Sequence, residues 1–153
     1  YDLASHQLDL LDYILGPIED ANGFTSNVAG LYEVEDSVSG AFRFESGVVG
    51  SGSWSFVASK NAHVDAIDFI GIQGKLTCST FDFTPIVLET DKGRQEFIEK
   101  NPENIQFYLI ESIVNYLNGK GSEPVSNCIT ATRTNRVMDK ILGITKVSHF
   151  KKG

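Results

Sequence analysis

The chain has 153 residues, 41 % of them apolar and 14 of them glycine, which is the make-up of one globular domain with a real core and excludes disordered or collagen-like readings. Thirteen Lys and Arg stand against twenty Asp and Glu, a net charge of −7, and the lone basic pair, Lys151-Lys152, reads as a solvated tail, so nucleic acid is not an expected partner. No apolar run approaches the roughly 20 residues of a membrane-spanning helix, so no membrane partner is expected either.

Residues 3–15 carry Ala4, Leu8, Leu11 and Leu15 at helical spacing, and Gly16-Pro17 stops the helix because Pro lacks the N–H and disfavours helical backbone before it. From residue 18 to about 98 the period becomes two. Val38, Gly40, Phe42 and Phe44 share one face, and Ser39, Ala41, Arg43 and Glu45 the other. The turn at 45–48 leads to a return strand, 48–57, with Trp54 on one face and Ser51, Ser53 and Ser55 on the opposite one. Further strands are expected at 22–33, 64–70, 75–81, 84–90 and 94–98, and such short connections demand antiparallel pairing. Asn101-Pro102-Glu103 reads as a helix start, with Ile105, Leu109, Ile113, Tyr116 and Leu117 as its buried stripe and Gly119 as its end. Asn127 or Ser126 caps a last helix whose Val137, Met138, Ile141 and Leu142 face inward before Gly143. The expected class is α+β, a predominantly antiparallel open β-sheet with helices packed on one face.

Cys78 and Cys128 lie far apart without C-x-x-C spacing, which fits a reducing, cytoplasmic setting better than a disulfide framework or a zinc site. No secretory signal is visible, and the chain opens at Tyr1, directly into a helical pattern, which reads as a cut rather than a natural beginning. The glycines of residues 47–52 (GVVGSG) continue into a strand instead of a helix, so they read as hairpin and packing glycines, and no nucleotide site is expected. His63 and His149 lie in polar segments without a second ligand at metal spacing, so no metal is expected. No G-x-S-x-G elbow exists for a serine hydrolase, Trp54 reads as a core anchor, and Cys78 as a small filler.

His6 differs by its company. Spacings of four and seven put Asp2, His6 and Asp9 on one helix face, with Tyr13 continuing the strip. A carboxylate one turn from an imidazole orients the ring and fixes its tautomer, an acid–base device near neutral pH. The plainer reading is a solvated face with i, i+4 pairs.

The segment Asp2-Leu3-Ala4-Ser5-His6-Gln7-Leu8-Asp9 resembles the D-x-G-x-H-x-x-D run of the Gfo/Idh/MocA oxidoreductases. Residues 11–16 (LDYILG), 32–36 (YEVED), the strand from Phe42 to Gly47, 71–76 (GIQGKL) and 137–142 (VMDKIL) are similar to the rest of that family's C-terminal domain. The resemblance implies an α+β domain like that of dihydrodipicolinate reductase or the C-terminal domain of glyceraldehyde-3-phosphate dehydrogenase. It also implies that residues 1–153 are a single substrate-binding and oligomerisation domain of a two-domain oxidoreductase. NAD or NADP would be bound by an N-terminal Rossmann domain absent from this chain, which alone is expected to be inactive. The same domain would supply the family's Lys in an E-K-P segment. The implied substrate is a sugar, polyol or related hydroxy compound, and the implied partner a second copy through the sheet face. His6 matches the family's general acid/base and Asp2 its acidic partner, while Ala4 replaces the usual Gly. Some members are NAD-dependent glycosidases, which leaves that chemistry as an alternative. A non-catalytic interaction module docking through the open sheet face is a second, and a cofactor-independent hydrolase or isomerase using Asp2 and His6 a third.

Overall fold

A computed structural model of the chain describes residues 1–144; His149 and Lys151-Lys152 lie outside them. Along the chain run α1 (Asp2–Leu15), β1 (Ile18–Ser26), β2 (Ser37–Phe44), β3 (Val49–Ser55), β4 (Ile67–Gly71), β5 (Gly74–Cys78), β6 (Ile86–Thr90), β7 (Gly93–Phe97), α2 (Phe107–Leu117) and α3 (Cys128–Ile141). They form two compact units, one of Tyr1–Ser59 with the segment from Val125, the other Lys60–Pro124. The class is α+β with antiparallel pairing throughout, and the strands fall into two sheets, β1-β2-β3 and β4-β5-β6-β7.

The first unit holds every fully buried residue among those described. β2 is its central strand, pairing Phe42 with Ala21 on one side and with Gly50 on the other. Its inward face, Phe42 and Phe44, packs edge to face at 5.8 Å and meets Leu8 of α1 and Val137, Met138 and Ile141 of α3. Burying Leu8 and Phe44 contributes roughly 1.5–3 kcal/mol each. α3 comes close to the sheet because Gly23 and Gly40 leave a platform: a Cβ on Gly23 would lie 2.6 Å from the Ile141 Cγ2. The β2–β3 hairpin turns at Gly47, whose φ of 88° suits glycine, with the Phe44 N–H donating to the Val48 carbonyl at 2.9 Å. Asn127 caps α3 in a reciprocal capping box with Thr130, which decides between Asn127 and Ser126.

β1 begins at Ile18 and ends at Ser26, earlier than the 22–33 expected. Polar side chains end it. The Asp36 carboxylate accepts the Val28 and Ala29 N–H groups at 2.8 Å each, and the Asn27 side chain accepts the Gly30 N–H at 2.8 Å, so backbone groups that a strand would need are taken. Asp36 is 0 % exposed. Burial alone would raise its carboxyl; the Ala29 and Val28 N–H groups and the Ser37 hydroxyl outweigh it and hold the group below the ordinary range. A depressed folded value means stability that is present above the unfolded pKa of about 3.9 and lost as pH falls through the folded one. Asp36→Asn should therefore lower Tm at neutral pH by roughly 5–10 °C and flatten the acid limb of the Tm–pH curve. A variant curve parallel to the wild-type one would contradict this.

In the second unit, β4–β7 form a meander, and β5 stops at Cys78 rather than at 81. One oxygen of Asp65 gathers the Thr80, Phe81 and Asp82 N–H groups at 2.9, 2.5 and 3.0 Å and bends the chain there. α2 starts at Phe107, later than the Asn101-Pro102-Glu103 signal, because the Asn104 side chain accepts the Gln106 N–H at 3.0 Å and forms a turn first. No residue of α2 is buried; the expected stripe of Leu109, Ile113, Tyr116 and Leu117 is exposed, as is Ile105 before it, since nothing in its own unit covers that face.

Candidate active site on helix α1

α1 is oriented by its apolar side. Leu8 is fully buried, Ala4, Leu11 and Leu15 pack against the core, and the Gly16 N–H closes the helix on the Asp12 carbonyl at 3.0 Å. A helix fixed in this way turns the opposite strip outward. Asp2, His6 and Tyr13 are accordingly exposed, at the spacing that the sequence implies.

His6, Asp9, Tyr13 and Arg133 line an open cleft of ≈ 520 Å³ whose apolar wall includes Leu10, Pro17 and Val125. Asp9 is half-buried and turned toward α3, where its carboxylate accepts the Ser126 hydroxyl at 2.9 Å and the Thr134 hydroxyl at 3.3 Å. Asp2 does not reach this cleft. It lines a separate apolar recess of ≈ 40 Å³ with Leu8, Trp54, Met138 and Ile141, so the structure places Asp2 and His6 one turn apart but at different openings.

The reading of residue types missed Asp12 and Arg133. Asp12 is 7 % exposed and receives the Arg133 guanidinium two-pronged, Nε at 3.2 Å and Nη2 at 2.6 Å. That hydrogen-bonded contact raises the Arg133 pKa further. The available signal is an acid at the edge of a leucine stripe, between Leu8 and Leu15, where a carboxylate needs a partner. Trp54 is the anchor expected of it, with its indole N–H donating to the Gln7 side chain. The Cys78 thiol is pushed up by burial first and then by Asp65 and Asp68, in keeping with a filler rather than a nucleophile. His63 is exposed and bonds the Asp82 carboxylate at 2.8 Å. Among the described residues no group of three His, Cys, Asp or Glu could hold a metal ion.

The glycine-rich run does not fit a dinucleotide. A Cβ on Gly50 would lie 2.5 Å from the Phe42 Cε2, and one on Gly52 2.5 Å from the Trp54 Cη2, so these glycines make room for aromatic rings within a sheet.

The profile of the GFO/IDH/MocA C-terminal domain matches residues 1–77. The chain belongs to the GFO/IDH/MocA family. Its likeness to Oxidoreductase P35 of Formosa agariphila is 28 % identity over 143 residues, covering 94 % of this chain and 43 % of that protein. Solved structures that share the fold of this GFO/IDH/MocA domain include the following three. The WlbA dehydrogenase of Bordetella pertussis, in complex with NADH and UDP-GlcNAcA, is 22 % identical with a TM-score of 0.68, over 93 % of this chain and 41 % of its own. The UDP-N-acetylglucosamine 3-dehydrogenase GnnA of Acidithiobacillus ferrooxidans is 13 % identical with a TM-score of 0.76, over 93 % and 45 %. An oxidoreductase of Agrobacterium radiobacter, in complex with NAD+, L-tartaric acid and magnesium, is 18 % identical with a TM-score of 0.73, over 93 % and 45 %. The chain thus spans less than half the length of each of these relatives.

Proposed function

We propose that this chain is the substrate-facing domain of a two-domain oxidoreductase that acts on a sugar, polyol or related hydroxy compound, with His6 as its general acid/base. The observation that carries this reading is an exposed imidazole lining a ≈ 520 Å³ cleft, on the helix that also carries the family's D-x-x-x-H spacing.

In this reading the substrate lies against the apolar wall of the cleft with a hydroxyl toward His6. The imidazole takes the hydroxyl proton as the carbon is oxidised and returns it in the reverse direction. Asp2, one turn before on the same strip, is the acidic partner that the resemblance gives to His6, and in this chain it lines the separate recess; Asp9 and the Asp12–Arg133 pair hold α1 to α3 beside the cleft. NAD or NADP, held by a domain outside this chain, supplies the hydride acceptor when bound. Copies associate through the open face of the first sheet, where Phe24, Ser39, Ala41, Arg43, Ser51 and Ser53 are exposed. Two free cysteines support a reducing, cytoplasmic setting.

Dinucleotide binding tests the division of labour. Calorimetry should show NAD or NADP binding to the full-length polypeptide and none to residues 1–153, because no glycine-rich turn among the described residues opens a helix. Micromolar binding by residues 1–153 would overturn it.

A further inference from the structure

Arg133 stands on the cleft that His6 lines, and its guanidinium is fixed there by the protein itself. Asp12 receives Nε at 3.2 Å and Nη2 at 2.6 Å, so two of the five guanidinium N–H groups are engaged. The second N–H of Nη2 and both on Nη1 have no hydrogen-bond partner among the described residues. The pair is buried unevenly, with the Asp12 side chain 6 % exposed and the Arg133 side chain 37 %. The carboxylate is thus the inner partner, and the unengaged N–H groups belong to the open side, on the cleft wall.

Stability alone does not account for such a pair. Breaking it from one side is costly, yet apolar side chains of similar volume in both places often do as well or better. What the ion pair supplies, and two apolar residues cannot, is a set of donors held in one orientation beside the cleft. A free surface arginine gives up rotamer freedom when it grips a ligand. One already clamped by a buried carboxylate gives up little. Sugars and polyols carry several oxygens, and the oxidation consumes the proton of only one.

We infer that Arg133 is a substrate-binding residue, pre-oriented by Asp12 to donate to a substrate oxygen other than the one whose proton His6 takes. The role rests on the reading of the cleft as the substrate site and adds a second anchor, from α3, for the molecule that His6 meets from α1. Asp12 acts only through Arg133 and is a positioning residue. The free N–H groups serve a hydroxyl, a ring oxygen or a carboxylate alike.

The test is steady-state kinetics of the full-length enzyme with NAD and with NADP on glucose, galactose, xylose and sorbitol, followed on the compound with the highest wild-type kcat/KM. Arg133→Lys keeps a cation beside Asp12 but loses the planar fork, so KM should rise about tenfold or more while kcat stays within about threefold. Asp12→Leu with Arg133→Met restores packing between α1 and α3 without any donor. It should show the same rise in KM with Tm near the wild-type value, whereas a purely structural pair would leave its KM at the wild-type value. Should the double variant not fold, Arg133→Lys decides alone. Unchanged KM in Arg133→Lys overturns the inference, and so does a wild-type KM in the folded double variant. Failure of the underlying reading looks different. No oxidation of any of the four compounds by the wild type removes both, while a fully active His6→Ala removes the acid/base role and leaves the rise in KM standing.

Discussion

Arg133→Met should lower the unfolding free energy by about 2–4 kcal/mol, read as a shift in urea midpoint at constant slope. Removing the guanidinium leaves the Asp12 carboxylate, 6 % exposed in its side chain, without the two-pronged contact that compensates its burial. A fully buried pair broken from one side typically costs about 3–5 kcal/mol; the Arg133 side chain is 37 % exposed, which moves the whole expectation down by about 1 kcal/mol. The double variant Asp12→Leu with Arg133→Met should recover most of the loss, because two apolar side chains can pack where the ion pair sat between α1 and α3. A loss below about 1 kcal/mol in the single variant would mean that Asp12 finds water or another donor, and that the two helices are held by Leu8, Val137, Met138 and Ile141 with the Asp9–Thr134 hydrogen bond.

That pair also shows where the sequence could and could not be read. The β2–β3 hairpin is legible because Val38, Gly40, Phe42 and Phe44 alternate with Ser39, Ala41 and Arg43, and Gly47 supplies the left-handed turn. The helical repeat of Ala4, Leu8, Leu11 and Leu15 likewise places α1, and with it the outward strip bearing Asp2 and His6. Asp12 and Arg133 are 121 positions apart, and no local pattern pairs them. The same holds for the cleft itself, since four of its eleven lining residues, Val125, Ser126, Thr130 and Arg133, come from across the fold. β1 was misplaced for a different reason. Apolar residues Val28, Leu31 and Tyr32 continue past Ser26, but the Asn27 and Asp36 side chains capture backbone N–H groups that a strand would have used, and that competition is decided by tertiary burial of Asp36. α2 carries an amphipathic pattern that implies a buried face, and periodicity states only that such a face wants cover, not which surface supplies it.

The acid/base role of His6 is the centre of the account, and its substitution in the full-length enzyme addresses it most directly. His6 lies on the exposed strip of α1, opposite Leu8, so alanine there opens no core cavity and Tm should be unchanged. Steady-state kinetics of His6→Ala, with the sugar or polyol proposed as substrate, should then show kcat/KM reduced by about 10²–10⁴-fold, the usual worth of a positioned proton acceptor. A folded His6→Ala enzyme that turns over at the wild-type rate would contradict it.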